Sequence, residues 1–250
     1  MDIRLIGEII AKYWPMFLRG AGMTLFISII GTALGFVIGL IVGVIRTIPL
    51  PEKGVKRSVL KVINAVLSAY VEVFRGTPMI VQSMVIYYGS AQAFGVDMNR
   101  FAAAVLIVSI NTGAYMAEIV RGGIISIDRG QYEAAQAIGM NHFQTMMNVV
   151  LPQAIRNILP ATGNEFVINI KDTSVLNVIS VTELYFQTKS IAGNTFKFFE
   201  PFFVACVIYF VMTFTVTRIL RYLEKKMDGP ENYVKVVDGT MHTEVPKATL

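Results

Sequence analysis

Charge is scarce in this chain: only 16% of its 250 residues are Asp, Glu, Lys or Arg, well below the roughly 25% of an ordinary soluble domain. Cysteine is scarcer still. Cys206 stands alone in an apolar stretch, which excludes an internal disulfide and a cysteine-based metal site. The chain has two histidines and neither a Ser/His/Asp set nor a metal-spaced cluster, which argues against an intramembrane enzyme. It carries no GxxxxGK[ST] phosphate loop and no Rossmann glycine fingerprint, so it does not bind and hydrolyse a nucleotide by those routes.

Apolar residues are abundant, at 54% of the chain with a mean hydropathy of +0.57. Gly20 to Ile45 holds no charged residue, more than the ~20 residues that cross a bilayer as a helix. Asp2, Glu8, Lys12 and Arg19 precede this run and no small-residue cleavage site follows a short apolar core, so it reads as a retained span rather than a signal peptide. The net charge of +5 then marks cytoplasmic loops rather than a nucleic-acid partner.

Apolar segments fall at about 20–45, 58–74, 78–95, 101–120, 153–179 and 199–222. The basic loop Arg46 to Lys61 and the basic flank with Arg218, Arg221, Lys225 and Lys226 both read as cytoplasmic, so an even number of crossings separates them. Parity is satisfied when 58–74 and 78–95 form one unit broken at Arg75-Gly76-Thr77-Pro78, where proline lacks a donor and glycine permits unusual backbone angles. The expectation is an all-α integral membrane protein with five transmembrane helices, the N-terminus outside and the C-terminus cytoplasmic. Residues 1–19 read as an N-terminal amphipathic segment with a short helix on the outer surface, 20–222 as the membrane domain, and 223–250 as a cytoplasmic tail. Gly31, Gly35, Gly39 and Gly43 form one smooth stripe for close helix approach.

The cytoplasmic segment at about 131–152 reads as short helix, turn, new helix. It holds Glu133-Ala134-Ala135, then Gly139, then Val149-Val150-Leu151-Pro152. Ala134, Ala135 and Ala137 offer a small surface, while Met140, Phe143 and Met146 offer apolar bulk for a partner's groove.

This spacing resembles the EAA loop of ABC importer permeases, with Val149 in place of isoleucine. Val71 to Gln82, Asn111 to Gly123 and Gly163 to Leu176 are similar to the histidine/glutamine/glutamate/arginine/opine type, and the resemblance covers about residues 20–222. It implies a type I importer permease fold in a bacterial inner membrane, with Glu133, Ala134, Ala135, Gly139 and Met140 in a coupling helix. It also implies two ATP-binding subunits carrying ATP and magnesium, a second permease that is identical or paralogous, and an extracytoplasmic solute-binding protein. No cofactor is expected on this chain.

Ionisable residues inside a span are costly and mark function by default. Glu165 and Asp172 are seven positions apart and share one helical face, with Asn169 between them, so they supply acceptors for an ammonium group. Donors for a carboxylate come from Lys171 or from the break at Arg75, Gly76 and Thr77. Thr173, Ser174 and Gln82 complete the set, with Tyr115 a weaker member; a fixed ion-pair network of Glu165, Lys171 and Asp172, with Arg75 paired to Glu72 or Glu118, is the structural alternative. The resemblance places substrate-contacting acids at Glu165 and Asp172. That favours arginine, lysine or histidine over glutamine, glutamate or cystine as the amino acid imported. An ion-coupled secondary transporter, which would show two related halves, and an anchoring scaffold are the rivals.

Overall fold

The structure, a computed structural model, describes residues 3–227, and every regular element among them is a helix. Long helices are α1 (Ile3–Thr47), α2 (Val55–Gly76), α3 (Met79–Phe94), α4 (Arg100–Ile125), α7 (Leu151–Asp172) and α9 (Phe199–Met227). Short ones are α5 (Arg129–Ala137), α6 (His142–Thr145) and α8 (Leu184–Thr195). Most of the expected tail at 223–250 lies outside the described residues.

Three helices, α1, α4 and α9, are long and apolar enough to cross a membrane. Their outer faces are apolar as well: Phe26, Ile29 and Val37 on α1 and Val207, Phe210 and Val211 on α9 are exposed, as suits helices that face lipid or a partner. α4 is the central helix, with Ala103, Ala104, Ile107, Val108, Ala114, Met116 and Ala117 all fully buried.

Helices in lipid gain little from apolar burial against one another and rely on close packing. The glycine stripe supplies it. A Cβ on Gly31, Gly35, Gly39 or Gly43 would collide in turn with Val108, Thr112, Met116 or Val120. The two series rise together, so α1 and α4 run parallel, as expected for helices separated by an even number of reversals. Arg46 at the end of α1 accordingly meets Glu118 near the end of α4, and Arg121 donates to the same carboxylate at 3.0 Å. α7 runs against both neighbours: Ile158 and Asn169 face Gly123 and Thr112 on α4, and Gly163 faces Leu220 on α9.

The expected short surface helix at residues 2–18 is instead continuous with the first apolar run. α1 passes unbroken through Gly20, spanning roughly 67 Å at 1.5 Å per residue. Tertiary packing is the reason. Ile9 and Phe17 are buried with Leu184, Ile191 and Val204, and Gly20 lets the Leu184 backbone approach, so α8 and α9 hold the segment.

Candidate functional site

The break between α2 and α3 lies where proline and glycine place it. α2 ends at Gly76, and Thr77 and Pro78 are extended before α3 restarts. The free carbonyls are not left to water. Buried Gln82 donates through Nε2 to the carbonyls of Phe74 and Thr77, each at 2.9 Å, and its Oε1 accepts from Asn111 Nδ2 at 2.9 Å. Thr77 Oγ1 donates to Val73 O at 2.7 Å. Gln82, expected to contact substrate, is thus the clasp that holds the broken backbone open.

Beside this clasp, Arg75, Gly76 and Thr77 are exposed. The Arg75 guanidinium lies over the Tyr115 ring, 5.6 Å from its centroid. It makes no salt bridge with Glu72 or Glu118, since Glu118 is taken by Arg46 and Arg121. From α7, half-buried Glu165 comes within electrostatic reach of both Arg75 and Asp172. Asp172 is exposed at the last residue of α7. Arg75, Tyr115 and Glu165 therefore neighbour one another beside the break, with Asp172 about two turns further along α7.

Other expected members turn away. Asn169 is buried: its Nδ2 donates to Thr32 Oγ1 at 2.8 Å and Thr112 Oγ1 at 2.9 Å, joining α1, α4 and α7. Helical periodicity put it near the acidic face, but the close approach of three helices encloses it. Thr173 is buried with Oγ1 donating to Ile170 O at 3.0 Å. Ser174 is half-buried and its carbonyl accepts from Asn177. Lys171 lines a groove between α7 and α9 rather than the Arg75 cluster, while still acting electrostatically on Asp172. A separate cleft of about 500 Å³, walled by Ile6, Ile10, Trp14, Phe203 and Val207, offers an amino acid almost nothing to hydrogen-bond.

The second candidate surface is the loop after α4. Asp128 caps α5 by accepting from Gly130 N at 2.6 Å. α5 closes in a Schellman turn: Gly139 N donates to Gln136 O and Met140 N to Ala135 O, with Gly139 at φ +82°. A reciprocal capping box of Asn141 and Gln144 then starts α6, and a wide π-helical turn at Met146–Val150 leads into α7 ahead of Pro152. The expected helix, turn and helix are all present.

Its exposed tip differs in detail from the expected one. Glu133, Ala134, Ala137 and Gly139 are exposed and Met140 is half-buried, but Ala135 faces inward and Met146 belongs to the core with Val120, Ile124 and Val150. Ile138 at 74% and Phe143 at 71% exposure form the apolar tip instead. Ile138 follows the Ala run directly, and only the left-handed turn at Gly139 turns it outward.

Long apolar helices, a charged group of residues at a broken helix and an apolar-tipped loop at one end are the features of a membrane protein that handles a polar solute. The family described as "Binding-protein-dependent transport system inner membrane component" matches residues 35–229, and the chain belongs to it. It is 41% identical over 214 residues to the "Glutamine transport system permease protein GlnP" of Escherichia coli K12, covering 85% of this chain and 93% of the relative. It is 33% identical over 213 residues to the "Arginine transport system permease protein ArtQ" of Bacillus subtilis 168, with the same coverage of each. A crystal structure of an "amino acid ABC transporter with histidines" superposes with a TM-score of 0.77 at 40% identity, covering 87% of this chain and 96% of that one. The inward-facing MetNI methionine transporter shares the fold, with a TM-score of 0.67 at 21% identity over 84% and 97% of the two chains. The chain is a transport subunit and not an enzyme.

Proposed function

We propose that this chain is the pathway-forming permease of an ATP-driven amino-acid importer, and that Arg75, Tyr115, Glu165 and Asp172 bind the solute. The carrying observation is that the Arg75 guanidinium and the Glu165 carboxylate lie within electrostatic reach of each other beside the α2–α3 break, with a second carboxylate, Asp172, further along α7. An amino acid presents one carboxylate and one ammonium, so Arg75 takes the first and an acid the second. The remaining acid suits a cationic side chain, which favours arginine, lysine or histidine. Glutamine is the second reading, supported by the 41% identity to a glutamine permease.

In this reading α1, the broken α2–α3 unit, α4, α7 and α9 make five crossings of a bacterial inner membrane. The parallel course of α1 and α4 supports that number. Positive flanks place the Arg46 end and the C-terminus in the cytoplasm and the N-terminus outside. A second permease covers the open charged face, and an external solute-binding protein delivers the amino acid. Two ATP-binding subunits, which hold ATP and magnesium, grip the tips formed by Ile138 and Phe143. Their closure rocks the bundle so that the site faces each side in turn.

The test is uptake by the complete complex in proteoliposomes, with Glu165→Gln and Asp172→Asn. Each should lower uptake at least about tenfold while ATP-binding subunits still co-purify. Unchanged uptake in both variants overturns this site. A panel of arginine, lysine, histidine and glutamine decides the solute.

A further inference from the structure

The groove between α7 and α9 lies on a different face of α7 from Glu165 and is not used by the transport reading. It is an open cleft of about 350 Å³, lined by Lys171 and Val167 from α7 and by Phe210, Phe214, Arg218 and Arg221 from α9. Three cations thus line one apolar cleft. Among the described residues, none of Lys171, Arg218 and Arg221 enters a salt bridge. Arg218 stacks on the Phe214 ring at 4.9 Å from its centroid, and Lys171 acts electrostatically on the neighbouring Asp172. The hydroxyls in the same wall are spent on their own helix, Thr213 Oγ1 on Tyr209 O at 2.9 Å and Thr217 Oγ1 on Thr213 O at 2.7 Å. The free donors of the cleft are therefore all cationic.

Gly163 against Leu220 sets the register of the two helices. Because the two helices run antiparallel, Lys171, roughly 12 Å further along α7 at 1.5 Å per residue, lies at the Phe210 end of the groove, and Arg218 and Arg221 lie at the other. Unpaired cations within a membrane protein require an anionic counter-group, and basic pockets between membrane helices match anionic lipid headgroups. Phe210 and Phe214, 64% and 47% exposed, continue the cleft outward as an apolar track. A phosphate on Arg218 and Arg221 with an acyl chain on the two rings satisfies both halves.

We infer that this groove is a binding site for one anionic phospholipid, its phosphate held by Arg218 and Arg221 and its chain laid along Phe214 and Phe210. The inference goes beyond the transport reading and holds whichever solute is carried. The site ties α7, which bears the transport acids, to α9, so its occupancy stabilises that pair of helices.

The test uses the purified, delipidated importer complex, with bound lipid counted by native mass spectrometry. Unmutated complex should bind phosphatidylglycerol tightly, phosphatidylethanolamine at least about tenfold more weakly, and should not exchange its lipid for free inorganic phosphate. Arg218→Gln with Arg221→Gln should weaken phosphatidylglycerol binding about thirtyfold, and Arg218→Lys with Arg221→Lys should stay within about threefold. Equal retention of both lipids, displacement by phosphate alone, or undiminished binding in the glutamine variant overturns the inference. A disulfide formed between two permeases by Thr217→Cys, in a Cys206→Ser background, overturns it as well, because the groove would then be a subunit interface. If the glutamine variant does not assemble, the two-lipid comparison on unmutated complex still decides.

Discussion

The Arg75 guanidinium on α2 lies over the Tyr115 ring on α4, 5.6 Å from its centroid, and Glu165 on α7 is within electrostatic reach of the same guanidinium. A cation over an aromatic ring gains about 0.5–2 kcal/mol, depending on desolvation. Tyr115→Phe keeps the ring and should leave uptake within about threefold, whereas Tyr115→Leu should raise KM for the amino acid roughly tenfold. Arg75→Gln should be more severe than either. Uptake kinetics in proteoliposomes check the order; Tyr115→Leu equal to wild type would remove Tyr115 from the site.

The glycine stripe gives a stability prediction with an internal control. A Cβ on Gly39 meets Met116 at less than contact distance, while one on Gly22 meets nothing within 4 Å. Gly39→Ala should destabilise by about 1–3 kcal/mol as α1 is pushed off α4. Gly22→Ala should be neutral or slightly stabilising. Thermal unfolding followed in detergent measures both.

Gly139 should be sensitive for a different reason. Its φ of +82° is needed for the turn that presents Ile138, and space around it is open. A β-branched residue there costs roughly 1–2 kcal/mol of backbone strain, so Gly139→Val should distort the tip and Gly139→Asn should be mild. Coupled transport should fall in the valine variant while basal ATPase activity persists. Full import by Gly139→Val would sink the role assigned to this turn.

Asn169 and Glu183 should behave as structural polar groups. Asn169→Leu leaves Thr32 and Thr112 without their shared partner and should destabilise by about 1–3 kcal/mol without altering which amino acid is preferred. Glu183, fully buried, caps α8 by accepting from Tyr185 N at 2.7 Å and Phe186 N at 2.8 Å, and also accepts from Tyr209 Oη at 3.1 Å. Glu183→Ala should destabilise by a similar amount, about 1–3 kcal/mol. Unfolding midpoints and a competition panel separate stability from specificity.

Much of this architecture was legible before any coordinates. Hydrophobic run lengths gave the membrane class, Gly76-Thr77-Pro78 gave the break, and the Glu133 to Pro152 spacing gave helix, turn and helix. Each is a local property, set by backbone chemistry within a few residues. The N-terminal helix was misjudged because its continuity depends on burial of Ile9 and Phe17 against α8 and α9, far away in sequence.

The site divides in the same way. Sequence alone determined that acids at positions 165 and 172 share a helical face and that an arginine precedes the break, because periodicity and helix-breaking are short-range. Only the tertiary structure decided that Arg75 lies over Tyr115 within electrostatic reach of Glu165, that Lys171 lines the α9 groove, and that Gln82 and Asn169 are buried in hydrogen bonds that join separate helices. Those outcomes depend on which helices pack together and how closely, and that was settled between α1 and α4 by glycines whose partners lie more than seventy positions along the chain.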